Sequence, residues 1–163
     1  MKKMNFLMTT ITTALFSGIV FAATDSDNLF LQGVVAEETS IEVTANAEAT
    51  NLNIIEGETG LLIGSSVERS NSLNGYTVSF YSANGGELQN ASDPTVSTSY
   101  EISYGGGSFL SPGTSGSPQV LVTEAGVGSA IEETRDISIN VTAFPNAIVG
   151  SYEDTVTFVI ESL

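Results

Sequence analysis

The strongest constraint on this chain is a hydrophobic period of two residues near its end. Ile137, Ile139, Val141 and Ala143 alternate with Ser138, Asn140 and Thr142, and Val156, Phe158 and Ile160 alternate with Thr155 and Thr157. Successive side chains of a strand point to opposite faces, so each of these segments has one apolar and one polar face. That pattern suits antiparallel sheets with one face on a core rather than a parallel sheet buried on both sides. The same period runs through residues 40–45, 76–82 and 100–104, and in shorter form through 29–35, 51–55, 61–63, 67–69 and 120–123. Turn signals separate them: Gly57-Glu58-Thr59-Gly60, Asn74-Gly75, Asn84-Gly85-Gly86, the Gly105-Gly106-Gly107 run and the Gly-, Ser- and Pro-rich stretch 108–118. No segment has a helical apolar face. Eight to ten short strands in about 140 residues, with no break in composition, predict one all-β domain, an antiparallel β-sandwich.

Charge narrows the function. Nineteen acidic residues stand against four basic ones in 163 residues, and the chain lacks histidine, cysteine and tryptophan. Phosphate backbones and anionic lipid surfaces repel such a surface, so no nucleic-acid partner is expected. Without His or Cys the commonest general base, the thiol nucleophile and the usual zinc ligands are missing. An enzyme is not expected, nor is a cofactor. Disorder does not fit either, because 41% of the residues are hydrophobic and only 14% are charged.

Residues 1–22 read as a removable signal peptide. Lys2 and Lys3 supply the basic start, an uncharged run extends from Phe6 to Phe21, and Val20-Phe21-Ala22 offers small residues for cleavage. The run is shorter than the roughly 20 residues of a membrane span, so an exported protein with no span after cleavage is expected: periplasmic in transit, then at the cell surface or outside the cell. Its nineteen acids would then face only Arg69 and Arg135. Exported domains of this size often rely on disulfides, and here none is available.

Near the end, Ala147-Ile148-Val149-Gly150-Ser151-Tyr152-Glu153-Asp154-Thr155-Val156-Thr157-Phe158 resembles the closing strand of spore-coat-U-like and related chaperone–usher pilus subunits. Gly150, Tyr152, Asp154, Thr155 and Val156 carry the likeness. Residues 31–35 and 41–45 are similar to the opening of fimbrial subunits. The resemblance implies an immunoglobulin-like sandwich lacking its final strand. It would be completed by an edge strand from a periplasmic chaperone, then by the N-terminal extension of the next subunit, which is β-augmentation. On that reading residues 23–39 are an extension and 40–163 the domain. Leu29, Leu31, Gly33 and Val35, alternate residues of one face, are the donor strand. Val156, Phe158 and Ile160 form the acceptor edge strand, with partners being copies of the chain or related subunits and an usher. The last alternating run ends at Ile160, so no later strand is expected to cover that edge. Two departures stand against the likeness: there is no disulfide and no tyrosine next to the end. The residues therefore also allow a complete, self-contained sandwich.

Other groupings have plainer readings. Asp25, Asp27 and Asn28 offer oxygens to calcium, but Phe30 and Ala36 stand where a calcium loop of the EF-hand type needs Gly and Glu. No metal site is expected. Glu37-Glu38, Glu132-Glu133 with Asp136, and Glu153-Asp154 read as solvated loops rather than paired catalytic carboxylates. Tyr152 is expected to bond its hydroxyl to backbone at a corner. Asp154 is expected to make a local turn hydrogen bond or to pair with Arg69 or Arg135. Of the aromatics Tyr76, Phe80, Tyr81, Tyr100, Tyr104 and Phe109, most suit the core. Tyr81 and Phe109 are the pair expected to be exposed, with the loop 108–118, for a glycan. A secreted adhesin or carbohydrate-binding module is thus the alternative to a pilus subunit.

Overall fold

A computed structural model of the protein describes residues 24–163, and the expected signal peptide, residues 1–22, lies outside them. The chain divides into two units, Met1–Val34 and Val35–Leu163. In the first, residues 24–34 form neither strand nor helix, and Leu29, Phe30, Leu31 and Val34 are exposed. The strand expected at 29–35 is therefore not formed: apolar alternation alone does not make one when no neighbouring edge takes the backbone N–H and C=O groups.

The second unit is all-β. β1 (Thr39–Ala45), β2 (Glu58–Ser70), β3 (Gly75–Ser82), β4 (Glu87–Asn90), β5 (Asp93–Tyr104), β6 (Gln119–Ala125), β7 (Ile131–Val141), β8 (Tyr152–Glu153) and β9 (Val156–Ser162) form two antiparallel sheets. One has six strands in the order β1-β2-β7-β5-β4-β8, the other three in the order β6-β3-β9. The arrangement is sandwich-like. Tyr76, Val78 and Phe80 of β3 lie against Tyr100 and Ile102 of β5 and Ile137, Ile139 and Val141 of β7. The apolar faces read from the sequence over 76–80, 100–104 and 137–141 are buried here.

Strands also form where none was expected, at Glu87–Asn90 and over 93–99, and two further segments depart from the expected pattern for a local reason. Residues 51–55 are not a strand; a single 3-10 turn, Ala47–Thr50, precedes them. Asn53 supplies the reason. Its Oδ1 accepts from the Glu56 N–H at 3.1 Å, its carbonyl accepts from the Gly57 N–H at 2.9 Å, and its own N–H is bound by Glu58 Oε1 at 2.8 Å. These local bonds take the backbone groups that a ladder would need. The second departure is β2, a single strand of 13 residues where two short ones were expected. Its register against β7 shifts between Glu58 and Leu61 and again between Leu62 and Gly64. Such bulges carry an apolar pattern out of phase and hide the continuity of the strand.

The acids were expected in turns and on solvated faces, and one is not. Glu68 of β2 is fully buried. Its Oε2 accepts from the Tyr76 hydroxyl at 2.7 Å, its Oε1 accepts from the Tyr104 hydroxyl, and the Arg135 Nε–H lies 3.2 Å from both oxygens. Arg135 also donates to Glu124 on β6 at 2.5 Å, and Ser66 Oγ lies 2.6 Å from the Tyr104 hydroxyl. The cluster joins β2, β5 and β7 of the large sheet to β3 and β6 of the small one. An isolated carboxylate would be too costly to bury; here every oxygen has donors and a facing cation. Burial, then hydrogen bonding to Glu68, pushes the Tyr76 and Tyr104 phenols well above their ordinary value of 10.0.

Removing one partner should be severe. Arg135→Leu is expected to lower unfolding free energy in urea by about 3–5 kcal/mol, because it leaves Glu68 charged and uncompensated. The raised phenols also set an alkaline limit. Each is harder to ionise when folded, so their contribution is intact below pH 10.0 and falls as pH rises past that value. A urea series from pH 8 to 11.5 should show stability level at first and then falling.

Candidate functional site

A cavity reaches the core where the two sheets present their ends. Among the described residues β1 pairs with β2 on one side and with no strand on the other; β9 pairs with β3 and is likewise a sheet edge. Between them is a cavity of ≈ 320 Å³. One wall comes from Val43 and Ala45 of β1, the other from Val156 and Phe158 of β9, and the floor includes Ile102 and Ile139. Apolar core is thus reachable from the side of the molecule, next to two rows of backbone groups.

Phe158 anchors the β9 wall. Its ring stacks on Phe80 at 6.0 Å and on Tyr104 at 5.8 Å. Val156, Phe158 and Ile160 all face the core, yet none is fully buried, whereas their neighbours Val78 and Phe80 on β3 are at 0% exposure. The difference is one of coverage: β3 has strands on both sides and β9 has one. β9, which carries Val156, Phe158 and Ile160, ends the three-stranded sheet and borders the cavity.

Residues at the end of the cavity hold β9 in place. Asp154 Oδ1 accepts from the backbone N–H of Asn84 at 3.0 Å and of Thr155 at 2.7 Å, and Oδ2 accepts from the Tyr100 hydroxyl at 2.8 Å. Burial and the adjoining Asp154 carboxylate raise the Tyr100 phenol. Neither arginine reaches Asp154, since Arg69 pairs with Glu132 and Glu42 and Arg135 with Glu68 and Glu124. The Tyr152 hydroxyl donates to the Ile148 carbonyl at 3.1 Å. Gly150 has φ +150°, and a side chain there would meet the Asn90 amide nitrogen at 2.4 Å. Gly150, Tyr152 and Asp154 thus sit in the approach to β9 with distinct local partners.

The donor residues named from the sequence belong to no strand or helix. Leu29, Leu31 and Val35 are 83%, 80% and 87% exposed, and no atom lies within 4 Å of where a side chain on Gly33 would begin. Tyr81 and Phe109 are both half-buried rather than exposed, which corrects the expectation of an open aromatic pair. Periodicity did not reveal the β1 side of the cavity. Val43 reads as an ordinary inward strand residue, and only the order of strands in the sheets makes it a wall.

No known family model matches the sequence, and no curated protein matches it. Among the described residues no helix is long and apolar enough to cross a membrane.

Two substitutions separate the open wall from an ordinary edge. Phe158→Ala should cost about 3 kcal/mol by urea denaturation, as truncation of a packed core aromatic does. Val120→Ala, on the exposed edge strand β6, should stay within about 0.5 kcal/mol.

Proposed function

We propose that the protein is an exported structural subunit that assembles by strand donation. Residues 29–35 of one copy add to the open edge of β9 of another, at the groove where β9 approaches β1. There they complete the backbone ladder and seat Leu29, Leu31 and Val35 in the open core. The observation that carries this reading is an unpaired sheet edge beside an apolar cavity. An edge strand with free N–H and C=O groups is a template for a further strand, and the cavity beside it offers places for alternate side chains, the two requirements of β-augmentation. Burying each leucine or valine contributes about 1.5–3 kcal/mol, and the ladder adds direction and register. The immunoglobulin-like topology implied by the resemblance, with its final strand supplied in trans, belongs to the same proposal. So do transit through the periplasm and a chaperone and usher as assembly partners.

The acidic surface fits an assembling role. Nineteen acids against Arg69 and Arg135 make copies repel one another in the medium, so association falls to the specific groove rather than to general stickiness. Glycan binding has no comparable support, because Tyr81 and Phe109 are half-buried.

Deleting residues 23–36 behind an intact leader should yield an exported monomer that no longer forms SDS-resistant ladders; unchanged laddering would overturn the proposal. In the full chain, raising salt from about 20 to 500 mM should speed assembly by screening like charges. Light scattering reads the rate, and slower assembly at high salt would point to a basic partner instead.

A further inference from the structure

One residue just past β2 holds the root of the N-terminal segment. The Asn71 N–H donates to the Glu38 carbonyl at 3.1 Å, its Oδ1 accepts from the Glu38 N–H at 2.7 Å, and its Nδ2 donates to the Ala36 carbonyl at 2.8 Å. Thr39 is paired with Ser70 in the β1–β2 ladder, so these bonds carry the pairing one step beyond the strands. The Thr39 and Ser70 hydroxyls, 3.0 Å apart, close the same end. The Asn71 amide acts as both donor and acceptor, and two residues of the incoming chain are fixed by it.

Those residues occupy the one place where the chain could reverse. Only Ala36, Glu37 and Glu38 separate residues 29–35 from β1. For that segment to turn back into the groove beside its own β1, the chain would have to make a hairpin over these three. Tight hairpins need positive φ, supplied by Gly, Asn or Asp; Ala-Glu-Glu supplies none of these. No non-glycine residue adopts positive φ among the described residues. Reversal would also break both side-chain bonds of Asn71 and crowd two carboxylates into the turn.

Resting on the strand-donation reading, we infer that Asn71 is a positioning residue that selects closure between copies over closure within one copy. By holding Ala36 and Glu38 in line with β1, it bars residues 29–35 from their own groove and leaves the groove of a second copy as their acceptor. The hydrogen bonds of Asn71 go to Ala36 and Glu38, and it does not line the cavity. Its effect is on which of two grooves the donor can reach.

The experiment follows the full chain expressed for export, comparing wild type with Asn71→Ala. Native mass spectrometry reads oligomer against monomer, and hydrogen exchange reads protection of the amides of residues 29–35 in each species. Wild type should hold protected amides almost wholly in oligomers. Asn71→Ala should raise the share of monomers with protected amides roughly tenfold, the scale set by losing two hydrogen bonds, with the midpoint of thermal unfolding lowered by only a few degrees. A second variant, Ala36→Asn with Glu37→Gly, keeps Asn71 but installs a turn sequence and should shift the balance the same way. An unchanged balance in both variants overturns the role of Asn71 while leaving strand donation standing. Unprotected amides in every wild-type species overturn strand donation, and the inference with it.

Discussion

Glu68 is the point on which the two sheets agree. A carboxylate with no access to water needs its charge balanced and its lone pairs filled, and here Arg135, Tyr76 and Tyr104 do both. Because Glu68 and those partners come from β2, β3, β5 and β7, the geometry holds only when the sheets are stacked in one relative position. Apolar contacts between flat faces permit sliding at small cost, whereas a buried ion with three fixed donors does not. The cluster therefore does for this disulfide-free chain what a cross-link between sheets does elsewhere, by making misalignment expensive. The small sheet depends on it most, since three strands with two open edges bury little area by themselves.

Much of the strand architecture was legible, and the misses share a cause. β3, β7 and β9 follow from alternation because their inward faces are apolar. Residues 51–55 alternate as well, but Asn53 offers nearer partners to the backbone than any strand could. The inward face of β2 was misread because it is polar: Gly64, Ser66, Glu68 and Ser70 are the buried positions, while Val67 is only half-buried. A strand whose inner face carries the polar network has an inverted pattern, and hydrophobicity points the wrong way. Arg135 held the usable signal. It falls in phase with Ile137, Ile139 and Val141, so it had to point toward the core and meet an acid there.

The groove was legible only in half. Val156, Phe158 and Ile160 could be named from sequence because they alternate. That they border open space depends on which strands end each sheet, and the chain order gives little hint that β1 and β9 should do so. Residues 29–35 show the opposite difficulty. Their apolar alternation is as good as that of several real strands, but a strand exists only as a pairing, and sequence shows one side of it.

The two register shifts of β2 divide that strand mechanically. They fall between Glu58 and Gly64, beside the cavity, while the stretch from Gly64 to Ser70 pairs with β7 without interruption and carries Glu68. A bulged ladder bends more readily than a regular one. β2 therefore behaves as a beam with a compliant end and a stiff end. A larger side chain at the cavity should be accommodated by bending near Leu61 and Leu62 before it disturbs the buried charge. The cavity wall can yield without the sheets losing their alignment.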